Sequence, residues 1–175
     1  MLLSVTGAAI VVGVQPSTTQ GANSARLFVG GFKIVATLQA IVANEGSLAN
    51  VIGKMEYGAC GTHLLAQRFS SIYINADYTI SGNATLHWSG STNGSIVCTS
   101  RTITLSGSPV FSGGFAKCAR QSRIVCSSNT FSGATGSSSL RYALVTMGLI
   151  DTGGAGATYL PGDSAGSNDG TGVYS

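Results

Sequence analysis

The sequence predicts a mainly-β chain wound as a short β-solenoid of about four coils, and three observations carry that prediction. The first is a phrase that recurs between Ser70 and Gly162. Ser71-Ile72-Tyr73-Ile74 leads to Thr79-Ile80-Ser81-Gly82, and Ser95-Ile96-Val97-Cys98 to Thr104-Leu105-Ser106-Gly107. Arg123-Ile124-Val125-Cys126 leads to Thr130-Phe131-Ser132-Gly133, and Leu149-Ile150-Asp151-Thr152, more loosely, to Tyr159-Leu160-Pro161-Gly162. The leading isoleucines (72, 96, 124, 150) lie 24, 28 and 26 residues apart. A period of roughly 20–50 residues marks stacked repeats, and the apolar alternation within each phrase marks strands. The second observation is composition: Gly, Ser and Thr supply 66 of 175 residues, which suits tight turns and polar ladders better than helices. The third is that charged residues are only 9% of a chain that is 43% hydrophobic, against about 25% charged in an ordinary domain. So few charges predict poor solubility as a monomer, and hence an obligate assembly in which neighbouring subunits cover much of the surface.

Taken in order, residues 1–31 read as an extended N-terminal attachment arm. Val5, Ile10, Val12 and Val14 have strand propensity, Arg26 is the lone charge, and Gln15 to Gly21 reads as a linker. Such an arm either lies against a partner by adding a strand to it or caps its own domain. The first fourteen residues lack the basic start of a secretory signal, which argues against classical secretion, and no apolar run reaches the ~18 residues of a membrane helix. Residues 32–57 carry Ile34, Leu38, Ile41, Val42, Leu48, Val51, Ile52 and Met55 at partly helical spacing, broken at Glu45-Gly46-Ser47. They predict either a short capping helix or two, or a first irregular coil. Residues 58–175 are the solenoid with its glycine-rich tail. Within each phrase the first and third residues face one side. Ile72/Ile74, Ile96/Cys98, Ile124/Cys126 and Ile150/Thr152 therefore form inward ladders, and each Ser-Gly makes a corner.

The cysteines Cys60, Cys98, Cys118 and Cys126 are the sharpest chemical signal. Cys98 and Cys126 stack on adjacent coils at a spacing of ~4.8 Å, within reach of a disulfide, or else serve as reduced apolar rungs. Cys60 and Cys118 have unmatched offsets and are candidates for a bridge between subunits. Zinc is not indicated, since the histidines His63 and His87 are scattered and no C-x2-C pair exists. Asp77 and Arg101 share an offset of five residues after their isoleucines, which predicts a surface ion pair worth ~1 kcal/mol or less. Arg68 and Arg120, with Lys117 and Arg123, could form a modest basic face toward an acidic partner or glycan. His87-Trp88 could stack on a sugar or pack at an interface. Six dispersed acidic residues disfavour a depolymerase, which needs clustered carboxylates. No catalytic triad, P-loop or dinucleotide fingerprint is present, no cofactor is indicated, and the absence of a basic run disfavours nucleic acid.

The pattern I-x-C-x(n)-T-[LF]-S-G, followed by the terminal Y-L-P-G-D-S-A-G-x(3)-G-x-G-x-Y, resembles glycine-rich virion proteins of tailed bacteriophages over residues 57–175. That resemblance implies a trimeric β-helical module on the particle surface, anchored by its N-terminal arm to other virion proteins such as the major capsid protein. The expected function is therefore a non-enzymatic capsid decoration or spike subunit that stabilises the particle. A receptor- or glycan-binding tail tip is the alternative, and a β-helical depolymerase is the third. No nucleic-acid or membrane partner is expected.

Overall fold

A computed structural model describes residues 1–12 and 25–175, and those residues form a parallel β-solenoid of about six coils. Each full coil contributes one strand to each of three sheets. The first coil holds β1 (Leu2–Val5), β2 (Ile10–Val12) and β3 (Arg26–Val29), and the second β4 (Lys33–Ala36), β5 (Gln39–Ala43) and β6 (Leu48–Val51). The third holds β7 (Met55–Tyr57), β8 (Thr62–Gln67) and β9 (Ser71–Ile74); the fourth, β10 (Tyr78–Ile80), β11 (Ala84–Ser91) and β12 (Ser95–Cys98). The fifth holds β13 (Thr102–Leu105), β14 (Phe111–Ala119) and β15 (Arg123–Val125), and the sixth β16 (Thr130–Ser132), β17 (Tyr142–Val145) and β18 (Leu149–Asp151). A partial seventh turn adds β19 (Ser167–Asn168) and β20 (Val173–Tyr174). Sheet one runs β1-β4-β7-β10-β13-β16, sheet two β19-β17-β14-β11-β8-β5-β2, and sheet three β20-β18-β15-β12-β9-β6-β3. Seven strands at ~4.8 Å spacing make a stack about 29 Å tall.

The isoleucine ladder lies where the repeat placed it. Ile72, Ile96, Ile124 and Ile150 are in register along sheet three and fully buried, with Ile74, Cys98, Cys126 and Thr152 turned inward beside them. The ladder extends beyond the four phrases, through Ala49 and Leu27 on one side and Tyr174 on the other. Four coils were therefore too few. Residues 33–51 are a complete coil, and no described residue is helical. Their helix-like spacing comes from three short strands interrupted by turns: Ile34, Ala36, Ile41, Ala43, Ala49 and Val51 all enter the core. Glu45-Gly46 is simply the corner between β5 and β6. Likewise β1 and β2 of the arm pair with β4 and β5, and β3 pairs with β6, so these segments belong to the chain's own solenoid. The linker read at Gln15 to Gly21 lies outside the described residues.

The Ser-Gly corners lie between sheets one and two. Gly133 shows why the residue is needed: its φ is +93°, and a Cβ there would sit 2.1 Å from the Leu105 carbonyl oxygen below. The corners between sheets two and three use a different device. Successive pairs Arg68–Phe69, Thr92–Asn93, Arg120–Gln121 and Thr146–Met147 all adopt left-handed backbone, with φ between 49° and 63°. Serines close two of these turns and the Glu45–Gly46 corner before them, as Ser70, Ser122 and Ser47 Oγ accept from the amides of Gln67, Ala119 and Asn44 at 2.9 Å. At the far end, Leu160 is fully buried against the last coil. Tyr159 stacks edge-on with Phe131 at 5.3 Å and donates its hydroxyl to Cys126 O, which plugs the core.

Candidate functional site

Strands of sheet two bend in the middle, so that two consecutive residues point inward: Ala40-Ile41, His63-Leu64, His87-Trp88 and Phe115-Ala116 are all buried. The bend stacks His63 on His87. His87-Trp88 is therefore an interior feature, and the expectation of an exposed sugar-stacking pair is overturned. Both side chains are 0% exposed, and His87 lies 5.2 Å from Trp88 and 4.8 Å from Phe115 between ring centroids.

The histidines form a directed hydrogen-bond chain. His63 Nε2 is 2.8 Å from the Gly58 carbonyl, which can only accept, so that nitrogen carries the proton. His63 Nδ1 then accepts from His87 Nδ1–H at 2.9 Å, and His87 Nε2 accepts from the Tyr78 hydroxyl at 2.7 Å. Each ring is neutral and each nitrogen satisfied. Burial pulls the His63 pKa down to about 4, and burial followed by the neighbouring His63 holds His87 well below the ordinary histidine range. Burial likewise pushes the Tyr78 hydroxyl up. Tyr57 Oη and Trp88 Nε1 are buried nearby without a hydrogen-bond partner among the described residues.

The acidic residues are engaged elsewhere, each across one coil step. Glu45 pairs with Arg68 (2.5 Å), Glu56 with Lys33 (2.6 Å) and Asp151 with Arg123 (3.1 Å). The Lys33 ammonium, then Ser81, hold the Glu56 pKa down. Asp77 accepts from the Thr102 amide, Asp163 from the Ser138 and Ser139 amides, and Asp169 from the Thr146 amide. The expected Asp77–Arg101 ion pair is not formed. Tyr78 is in register with Ile103, so Asp77 lies beside Thr102, and Arg101 turns to the carbonyls of Thr99 and Asn75.

The cysteines are all free thiols. Cys98 and Cys126 are adjacent rungs of the core, as the reduced reading had it, and the bridged reading fails. Burial pushes the thiols of Cys98 and Cys118 up to about 12 and that of Cys126 higher. Cys118 faces the core of sheet two, where its thiol donates to Leu149 O at 3.1 Å. A bridge from that enclosed sulfur to another subunit is ruled out as long as the coil stays folded. Cys60 is half-buried at a corner two coils away.

Arg68 and Arg120 do share one ridge, the left-handed corners between sheets two and three, with the Thr92 corner between them. Arg68 is tied to Glu45, whereas neither Arg120 nor Lys117 has a carboxylate within ion-pair distance among the described residues. What sequence reasoning overlooked is the pairing of His63 with His87, which it read as scattered. A signal existed: His63 and His87 each lie nine residues before a leading isoleucine, Ile72 and Ile96.

No family model, curated protein or solved structure matches the chain.

Proposed function

We propose that this chain is a non-catalytic structural subunit of a tailed-phage particle, a capsid decoration or spike protein that assembles as a trimer and attaches through residues 1–31. The observation that carries the structural part is the use made of its titratable side chains. All six acidic residues join one coil to the next, and both histidines are neutral members of the core. Side chains committed to holding the stack together are what a durable surface module needs. The particle location rests on the resemblance of residues 57–175 to glycine-rich phage virion proteins. Attachment through the first coil is supported by its exposed apolar side chains: Met1, Leu2, Val11 and Phe28 are 58–90% exposed at the end opposite the Tyr159–Leu160 plug. Low charge on that edge suits strand addition or burial in a lattice.

Quantitative mass spectrometry of purified particles tests the location. Hundreds of copies per particle are expected for decoration, a handful would indicate a tail tip, and absence from the particle refutes the reading. Native mass spectrometry tests the assembly: a trimer of 17.6 kDa chains gives about 53 kDa, and a lone 17.6 kDa species refutes it.

A further inference from the structure

Sheet two carries, on its solvent side, a groove that crosses three successive strands. Ser89 and Ser91 of β11, Lys117 and Ala119 of β14, and Val145 of β17 line it, and Arg120 and Thr146 close it along the corner ridge. The register explains the depression. Ser89 is paired with Lys117, and Ser91 with Ala119, which pairs in turn with Val145, so the small Ala119 leaves a hollow of about 320 Å³ between longer side chains. Three features suit this hollow to a ligand. Its two cations, Lys117 and Arg120, have no carboxylate partner among the described residues, unlike Lys33, Arg68 and Arg123. Ser89 is only 8% exposed, and its hydroxyl makes no hydrogen bond among the described residues although it lies on the groove. Arg120 occupies a left-handed corner (φ 54°) that places the base of its side chain at the rim. The nearest acid on the same ridge, Asp169, has its oxygens occupied by the amides of Thr146 and Thr171 and by the Thr171 hydroxyl.

We propose that this groove binds an acidic saccharide, its carboxylate held between Lys117 and Arg120 and its ring hydroxyls by Ser89, Ser91 and Thr146. The hydroxyl side chains can both donate and accept, as a sugar ring requires. Leu86 and Val145 supply aliphatic surface for the ring's C–H face. The groove has no aromatic side chain on which a nucleobase could stack, which favours a saccharide over single-stranded nucleic acid. The proposal stands independently of the particle location argued above.

The test is a titration of the full-length protein, followed by backbone amide NMR shifts, with a tetrasaccharide alternating glucuronate and N-acetylglucosamine. Neutral cellotetraose, inorganic phosphate and a short oligothymidylate are the comparison ligands. The expected result is shifts confined to Ser89–Ser91, Lys117–Arg120 and Val145–Thr146, with affinity falling as salt rises. Cellotetraose, and the Lys117→Gln/Arg120→Gln double variant, should each bind about tenfold more weakly or worse, a loss of roughly 1.4 kcal/mol. Unchanged thermal stability of the double variant would show that the loss comes from the groove and not from the fold. Four outcomes overturn the proposal: no localised shifts with the acidic tetrasaccharide; equal affinity for phosphate, which makes the groove a general oxyanion site; tighter binding of the oligothymidylate; or undiminished affinity in the double variant.

Discussion

The buried His63–His87 pair should make the solenoid lose stability in mild acid, above the range in which its carboxylates titrate. Acidification from about pH 7 to about pH 5 is the perturbation, and the sign follows from the depressed pKa values. An unfolded histidine titrates near about 6.5, whereas His63 in the fold titrates at about 4. As pH falls through about 6.5 the unfolded chain binds a proton that the folded chain refuses. Stability is therefore complete above that point and declines toward about 4. The full difference for His63 is about 2.5 units at about 1.36 kcal/mol each, or about 3 kcal/mol, of which about 2 kcal/mol is lost by pH 5. His87, also held neutral by burial, adds a loss of the same sign. Against a typical stability of about 5–15 kcal/mol this is a large effect. Glu56, Asp163 and Asp169 have lowered pKa values, so their contributions vanish only at lower pH and leave the window clean. Urea midpoints measured at several pH values, at constant ionic strength, give the slope. A stability that stays flat down to about pH 5 would mean that the histidines are solvated, and the hydrogen-bond chain from Tyr78 to Gly58 would be refuted.

The remaining predictions concern packing and thiol chemistry. Gly94→Ser should destabilise by about 1–3 kcal/mol, because a Cβ at Gly94 meets the Ala66 carbonyl oxygen at 2.0 Å; a denaturation midpoint equal to wild type would show that the corner can open. Leu160→Ala should cost about 2–5 kcal/mol and speed amide exchange first in the sixth coil, since it removes the plug; uniform exchange would assign Leu160 no capping role. In the native protein a thiol reagent should label Cys60 first, with Cys98, Cys118 and Cys126 reacting only after denaturation. A cross-linked species through Cys118 on a non-reducing gel would contradict its enclosure.

The sheet-three ladder was legible because its rungs are isoleucines followed by a second inward residue two positions later. The first two coils were not, because the same rung is occupied there by Leu27 and Ala49, and a lone alanine carries no pattern. The Asp77–Arg101 pairing failed on a single residue. The corner from Ile72 to Tyr78 spans six positions and that from Ile96 to Ile103 spans seven, so equal offsets from the isoleucine stop being equal places in space. His87-Trp88 was misplaced for a different reason. Alternation assigns consecutive residues to opposite faces, and the bend in sheet two suspends that rule at the one level where the aromatic side chains collect. Turn composition and short-range periodicity can be read from a sequence, whereas a bend that depends on the strands above and below it cannot.

The corner ridge between sheets two and three separates what the fold dictates from what it leaves open. A left-handed pair suits Gly and Asn best and costs other residues roughly 1–2 kcal/mol each. Part of that strain is offset by a repeating bond between coils. Gly46, Phe69, Asn93 and Gln121 donate their amides to the carbonyls of Arg68, Thr92, Arg120 and Thr146 in the next coil. The bond is made by backbone alone, so it holds the ridge in place without specifying any side chain. Arginine is a poor choice for such a turn, yet it occupies the ridge at positions 68 and 120. At Arg68 the compensation is visible in the salt bridge to Glu45. At Arg120 no carboxylate lies within ion-pair distance among the described residues, so its guanidinium is the one on this ridge that the carboxylate proposed for the groove beside Lys117 would meet.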